Sequence, residues 1–358
     1  MPILLLVGLL ALVVGCDRPK SPVAYGASNS VIVAAPGPLW EEVKDTVSAA
    51  LEPTILTVRE ERTFDLTHVA PDDPEWDKLR RWKQVLVIGE PDDPWMRQVL
   101  DRMNGVVDSL PAVVQTVDVW ARGQRVIALV LPAGAGPAGV TAMVPQLRAF
   151  LDARFREWAR ERMFVSGVDT ALQRQLDAEA GFSLVLPEVY AWDRRVSVSV
   201  FLNDHPRTRE LGRSVLVTWR RGVGAVPPTE EVLAWRDDIA REYYVPVQAA
   251  GREPLEVEPV EVAGGSGIEV RGIWTSDDGG WPGAGPFRTR VLACPEQDRT
   301  YLVDAWLYAP AVEKYEYMVQ LETILDSFEC EGPARTPPAA RGTGRVRMGQ
   351  VDTVRVGR

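Results

Sequence analysis

Residues 287–308, FRTRVLACPEQDRTYLVDAWLY, followed by residues 313–328, EKYEYMVQLETILDSF, decide the architecture of the second half of the chain. Phe287–Ala293 and Thr300–Tyr308 read as strands, rich in β-branched and aromatic residues. The period then changes: Tyr315, Met318, Leu321, Leu325 and Phe328 recur at helical spacing, so Glu313–Phe328 is predicted to be a helix with one apolar face. Working backwards, Leu255–Val262 and Ile268–Thr275 are further strands. Val196, Val198 and Val200 alternate with Ser197 and Ser199, and Val215, Val217 and Trp219 alternate likewise, the pattern of half-exposed strands. Between Trp219 and Leu255 a helix capped by Thr229 is predicted, with Glu230 and Glu231 in its first turn, where the helix dipole favours acids. Its predicted buried face is Val232, Trp235, Ile239 and Tyr243. Runs of strands with segregated helices imply an α+β domain, an antiparallel sheet with helices packed on one face, over residues 181–330.

The first half alternates its elements instead. Val31–Ala35 is a continuous apolar strand, and Pro38 opens a helix with Leu39, Val43, Val47 and Ala50 on one face. Thr54–Leu66 reads as a strand pair. Lys83–Gly89 contains Val85-Leu86-Val87-Ile88, the run of a strand covered on both faces. A helix over Pro94–Asn104, a hairpin of Val113–Val119 with Arg125–Leu131, and a long helix over Val140–Arg162 complete an α/β domain at residues 31–163. Residues 164–180 are polar, admit a helix, and serve as connector. The length of 358 residues suits two such compact domains.

Ile3–Val14 is unbroken and apolar and ends in Val13-Val14-Gly15-Cys16. It is too short to cross a hydrocarbon core of about 30 Å as a helix. It has the length of a signal-peptide core, and its end is that of a bacterial lipobox. Residues 1–16 are predicted to be a lipoprotein signal peptide ending at a lipidated Cys16, with palmitate-type acylation anchoring the protein to a bacterial envelope membrane, on its periplasmic or surface face. Met1-Pro2 lacks the usual positive charge; the alternatives are an uncleaved anchor or a buried strand. Residues 17–30, with Pro, Ser, Ala and Gly, are read as tether. Export makes Cys294 and Cys330 a candidate disulfide; the alternative is two buried thiols. After Cys330 the composition is Pro, Gly, Ala and Arg without apolar periodicity, so 331–358 is predicted to be a disordered basic tail.

The net charge of −10 disfavours nucleic acid as a partner of the folded body. The catalytic motifs fail one by one. Gly134-Ala-Gly136-Pro-Ala-Gly139 follows a strand, but Pro137 removes an N–H and no acidic residue ends a following strand, so no dinucleotide cofactor is assigned. His68 and His205 have no partner at metal spacing, so no metal is assigned. Asp277 and Asp278 fit a solvated turn. The second half holds most of the tyrosines and half of the tryptophans, which fill a core or line a groove for sugar, peptide or lipid.

Arg236-Asp237, Arg271-Gly272-Ile273-Trp274, Gly285-Pro286-Phe287 and Tyr308-Ala309-Pro310 stand with Lys314, Tyr317-Met318, Gln320-Leu321-Glu322 and Ile324-Leu325. Together with Ser30–Val33 and Trp40 they resemble a bacterial lipoprotein family catalogued as domain of unknown function 4837, over roughly residues 28–330. The resemblance implies an envelope lipoprotein and carries over no catalytic residue. Cys294 and Cys330 stand outside its pattern. Gly181-Phe182-x-Leu184-x-Leu186-Pro187 and Ile324-Leu325-x-Ser327-Phe328 are also similar to PsbP-like domains, a fold of binding and assembly.

The expectation is a non-enzymatic envelope module that binds a ligand or protein partner, with Arg236, Asp237, Arg271 and Trp274 as candidate binding residues. The competing expectation is a hydrolase of cell-wall or surface polymers, for which Asp237, Asp277 and Asp278 are the carboxylates to locate.

Overall fold

A computed structural model describes residues 21–330, except 104–106, 108, 195–196, 205–209, 225 and 277–281. The expected signal peptide with Cys16, the basic tail, His205, Asp277 and Asp278 lie outside the described residues. The elements begin with β1 (Ser30–Ala34), α1 (Gly37–Leu51), β2 (Thr54–Ile55), β3 (Glu61–Arg62), β4 (Asp65–Val69), α2 (Trp76–Leu79) and β5 (Gln84–Gly89). There follow α3 (Pro94–Arg102), β6 (Ala112–Val117), β7 (Arg125–Val130), α4 (Gly136–Met163) and α5 (Thr170–Glu179). The rest are β8 (Phe182–Ser183), β9 (Ala191–Arg194), β10 (Val198–Asp204), β11 (Gly212–Arg221), α6 (Thr229–Tyr243), β12 (Gln248–Ala250), β13 (Glu256–Val262), β14 (Gly265–Ser276), β15 (Ala284–Cys294), β16 (Arg299–Tyr308), α7 (Tyr315–Asp326) and β17 (Glu329–Cys330). No helix among the described residues is long and apolar enough to cross a membrane.

The elements fall into two units. The first comprises the described residues up to Leu51 and Phe64–Arg148; the second comprises Glu52–Thr63 and the described residues from Ala149. The first unit holds a five-stranded sheet in the order β4-β1-β5-β7-β6, parallel except for β6. Every residue of β5 is buried, as its apolar run requires. Val85 and Val87 join Ile32, Val126, Met96 and Val99 on one face. The buried stripe of α1 is Trp40, Val43, Val47 and Leu51. The expected stripe was one position off at both ends: the bulkier Trp40 and Leu51 take the core, and Leu39 and Ala50 are half-buried. Residues 21–30, expected as tether, belong to this unit. Ala24 N–H donates to Arg122 O (2.9 Å), Lys83 N–H to Tyr25 O (2.8 Å), and the Tyr25 ring meets Trp82 edge-on at 4.9 Å. Backbone pairing and an edge-to-face ring contact hold this stretch in place.

In the second unit an eight-stranded antiparallel sheet runs β12-β14-β15-β16-β11-β10-β9, with β13 beside β14. Helices cover both of its faces. Val215 and Val217 of β11, with Tyr301, Val303, Ala305 and Leu307 of β16, pack with Leu172 and Leu176 of α5 and Leu321 and Ile324 of α7. Leu216, Leu302 and Trp306 point the other way, into a core shared with Val232, Trp235 and Ile239 of α6. The expectation of helices on one face misread the small polar residues: Ser199, Ser214 and Thr218 are buried. The connector expected at 164–180 carries α5, whose Leu172 and Leu176 are core. N-capping of α6 falls on Pro228 rather than Thr229. Within α7, Met318, Val319, Leu321, Ile324 and Leu325 are buried, each worth about 1.5–3 kcal/mol.

Cys294 and Cys330 form a disulfide with Cα atoms 5.9 Å apart, joining the end of β15 to the segment after α7. Cys330 N–H also donates to Ala263 O (2.9 Å).

Candidate functional site

Four segments of the second unit enclose an open cleft of about 700 Å³. They are the end of α4, the residues around Val189, the start of β11 with Asn203 of β10, and the first turns of α7 with Ala311 and Val312. Gly167 makes the first corner. It sits at φ +100°, where a side chain is strained, and an added Cβ would approach the Glu188 carboxylate at 3.2 Å. Gly167 N–H closes a turn onto Phe164 O (2.9 Å), and Glu188 N–H donates back to Gly167 O (3.2 Å). The turn sets Val165 and Val189 beside the same opening. Val165 is 87% exposed, Val189 52% and Val312 43%. Exposed valines are individually ordinary; three around one cavity are an apolar rim.

The floor is polar. Arg162 Nε lies 2.7 Å from Glu316 Oε1, and Gln320 Nε2 donates to the same oxygen at 3.2 Å. Arg213 Nη1 donates to Gln320 Oε1 at 2.6 Å, and its guanidinium lies 5.3 Å over the Tyr317 ring. Burial pushes the Glu316 carboxyl up from its ordinary range, and Arg162 offsets this only in part. Burial, then Glu316, pushes the Tyr317 phenol up as well. No residue of this cleft was a candidate binding residue from the sequence, although Tyr317 and Gln320 belong to the motifs that carry the family resemblance. The lone valine of Phe164-Val165-Ser166-Gly167 is the one local cue.

The four expected binding residues do not form one surface. Arg236, placed by its spacing at the edge of the buried stripe of α6, is fully buried. Its Nε donates to Asp304 Oδ1 (3.0 Å), its Nη2 to Gln248 Oε1 (2.9 Å), and it stacks 4.2 Å over Phe287. Asp304 also accepts from Tyr244 OH (2.7 Å) and Thr289 Oγ1 (2.5 Å), so this is a buried network between helix and sheet, in which Arg236 Nη1 and Gln248 Nε2 have no hydrogen-bond partner among the described residues. Burial, then the Asp304 charge, pushes the Tyr244 phenol well up. Asp237 accepts from Ala250 N–H and Arg252 Nη2, each at 2.8 Å. Trp274 is fully enclosed, edge-on to Trp306 at 5.6 Å. Arg271 lies on the opposite face of β14, as a spacing of three requires. There it binds Glu269 (2.5 Å) and Glu258 (2.8 Å).

Glu269 is the centre of a second network. Arg288 Nη1 reaches it at 2.8 Å and Arg290 Nε at 2.6 Å. Burial pushes this carboxyl up, but the arginines outweigh it and hold it at about 2. Arg290 and Arg288 continue to Asp326 (2.6 Å) and Glu322 (3.4 Å) of α7.

Most of the aromatics of the second half fill the core, Trp235, Tyr244, Trp274, Tyr301 and Trp306 among them, while Tyr317 lines the cleft. In the glycine loop, Gly134 N–H donates to the Glu90 carboxylate (2.8 Å), an occupant that repels phosphate. His68 Nε2 lies 3.0 Å from Ala35 O and its ring stacks on Trp40 at 4.9 Å, a packed position. Among the described residues no group of three His, Cys, Asp or Glu is placed to hold a metal.

This Arg-rich, disulfide-tied sheet is the part of the chain that carries the motifs from Arg236 to Leu325. Residues 169–327 match the family model described as Domain of unknown function (DUF4837). The match is narrower than the expected 28–330, because residues 24–136 match a different model, Domain of unknown function (DUF8532). The cleft straddles the start of the DUF4837 region, since Arg162, Val165 and Ser166 precede it. Two solved structures are similar at low scores. One is the Saccharomyces cerevisiae Ran-binding protein Mog1p, at 10% identity over 42% of this chain and 91% of that chain, TM-score 0.30. The other is LpqN of Mycobacterium tuberculosis, described as involved in cell envelope biogenesis, at 12% identity over 41% of this chain and 82% of that chain, TM-score 0.28. Comparison with curated proteins gives no match.

Proposed function

We propose that this chain is a lipid-anchored protein of the bacterial cell envelope whose second unit is a ligand-binding module. The anchor is Cys16, read from the apolar run and the Val14-Gly15-Cys16 ending. A disulfide between Cys294 and Cys330 supports an oxidising compartment. The observation that carries the binding reading is the cleft itself: an open cavity of about 700 Å³ with a valine rim and an arginine-bearing floor. Its size is that of a small-molecule site, and an exposed apolar rim is stabilised when a ligand covers it.

Two experiments test the reading. Metabolic labelling with an alkyne palmitate should tag the protein, and Cys16→Ser should abolish the label and release the chain from membranes; retained attachment would remove the anchor. Native mass spectrometry of protein purified gently from envelopes should reveal a bound adduct that Val189→Glu displaces. An unliganded mass, or an adduct indifferent to Val189→Glu, would remove the cleft as the ligand seat.

A further inference from the structure

The charge in the cleft narrows the ligand class. Arg213 is half-buried on β11. One of its nitrogens is held by the neutral amide of Gln320 (2.6 Å) and its plane lies over Tyr317. Its Nε is buried with no hydrogen-bond partner among the described residues. No described carboxylate lies within ion-pair distance of it: half-buried Glu316, which its charge reaches, is bonded to Arg162 at 2.7 Å, and Glu210 at the opening is exposed. A half-buried guanidinium with no acid in direct contact and one buried nitrogen unpartnered has bonding capacity left over. Tyr317 is the one aromatic ring among the described lining residues, and Arg213 covers one of its faces.

We propose that the cleft takes an amphipathic carboxylate, its charged head on Arg213 and its aliphatic chain along Val165, Val189 and Val312. This rests on the reading of the cleft as a ligand seat. The head supplies the direct carboxylate contact that Arg213 lacks, in the fork geometry that guanidinium offers a carboxylate. The chain covers the three exposed valines.

The test is calorimetric titration of octanoate into the full mature chain carrying Cys16→Ser, so that no detergent competes. Octanol, of the same chain length and uncharged, is the comparison. Octanoate is expected to saturate one site about tenfold or more tightly than octanol, as a charge-assisted bond predicts. Arg213→Gln should abolish that preference and Arg213→Lys should keep most of it, both with unchanged circular dichroism. Should Arg213→Gln fail to fold, the octanoate–octanol difference in the unmodified floor decides alone. Equal binding of the two ligands would overturn the carboxylate while leaving the cleft as a seat for apolar ligands. Binding of neither would also overturn it, and the seat itself then stands or falls on the native adduct and its response to Val189→Glu.

Discussion

β5 of the first unit and β16 of the second are both inner strands buried on both faces, and they differ in one kind of residue. β5 reads QVLVIG, and its one polar side chain, Gln84, donates to the backbone at Ser28 O (2.7 Å). β16 carries a fully buried Asp304 whose partners come from α6, β15 and the residue after α6. β14 repeats the device with Glu269. In the parallel sheet, backbone pairing satisfies nearly everything polar and the helices hold on by apolar contact. In the antiparallel sheet, helices are tied down by charge as well: α6 through Arg236, α7 through Asp326 and Glu322. A buried ion pair adds little net stability over a well-packed apolar pair, yet removing one partner is costly. The second unit is thus the one whose stability depends on keeping every partner and on pH.

The largest effect that would break this contrast is at Asp304. Asp304→Ala leaves the Arg236 guanidinium buried and uncompensated and strips the acceptor from Tyr244 and Thr289. It should destabilise the second unit by about 3–5 kcal/mol. Hydrogen exchange in urea, read peptide by peptide, should localise the loss to the second unit. A loss under about 1 kcal/mol would mean that the network is solvated.

Acid should produce the next effect. Glu269 is held at about 2 against an ordinary 4.5, so the folded state binds its proton more weakly than the unfolded chain. Its stabilisation is present above pH 4.5 and is lost as pH falls toward 2. The size is about 3 kcal/mol. Glu269→Gln should flatten that part of the pH profile in the second unit and leave peptides of the first unit unchanged.

The contrast was half legible in the sequence. Continuous apolar runs placed β1, β5 and β7, and the switch of period after Tyr308 placed α7. Asp304 and Glu269 were also readable as oddities, each a lone acid among apolar strand neighbours, Val303 and Ala305 or Ile268 and Val270. Their partners were not: Arg236 is 68 residues from Asp304, and nothing local selects it over another arginine of the same helix such as Arg241. The two-sided cover of β10 and β11 was hidden because buried Ser199 and Thr218 look like solvent-facing residues; Thr218 Oγ1 in fact donates to Ser197 O (2.9 Å). The cleft was least legible of all. Its lining comes from segments spread from 162 to 320, and the periodicity of its two helices marks their buried faces and not the cleft.

A smaller effect sharpens the other side of the comparison. Ile88→Val in β5 removes one buried methyl group from a core without charge. It should cost about 0.5–1.5 kcal/mol, the usual range for this change. The cost should be the same at pH 3 and pH 7 when followed by urea unfolding. A pH-dependent cost would show that the first unit also rests on a titrating group.

The smallest expected effect has the opposite sign and lies in the cleft. Glu316 is pushed up by burial, so the folded state holds its proton more tightly than the unfolded chain does. Stability then falls as pH rises through the folded-state value, because deprotonation places a charge where water is scarce. The Arg162 pair offsets little of this, since Arg162 is 59% exposed. Glu316→Gln keeps acceptors for Arg162 and Gln320 and removes the charge. A small rise in the melting temperature of the second unit is expected at pH 7, shrinking toward zero in acid, where Glu316 is protonated already. A fall at pH 7 would mean that the carboxylate is held by its arginine as Glu269 is, and that the cleft floor belongs with the structural networks of the sheet.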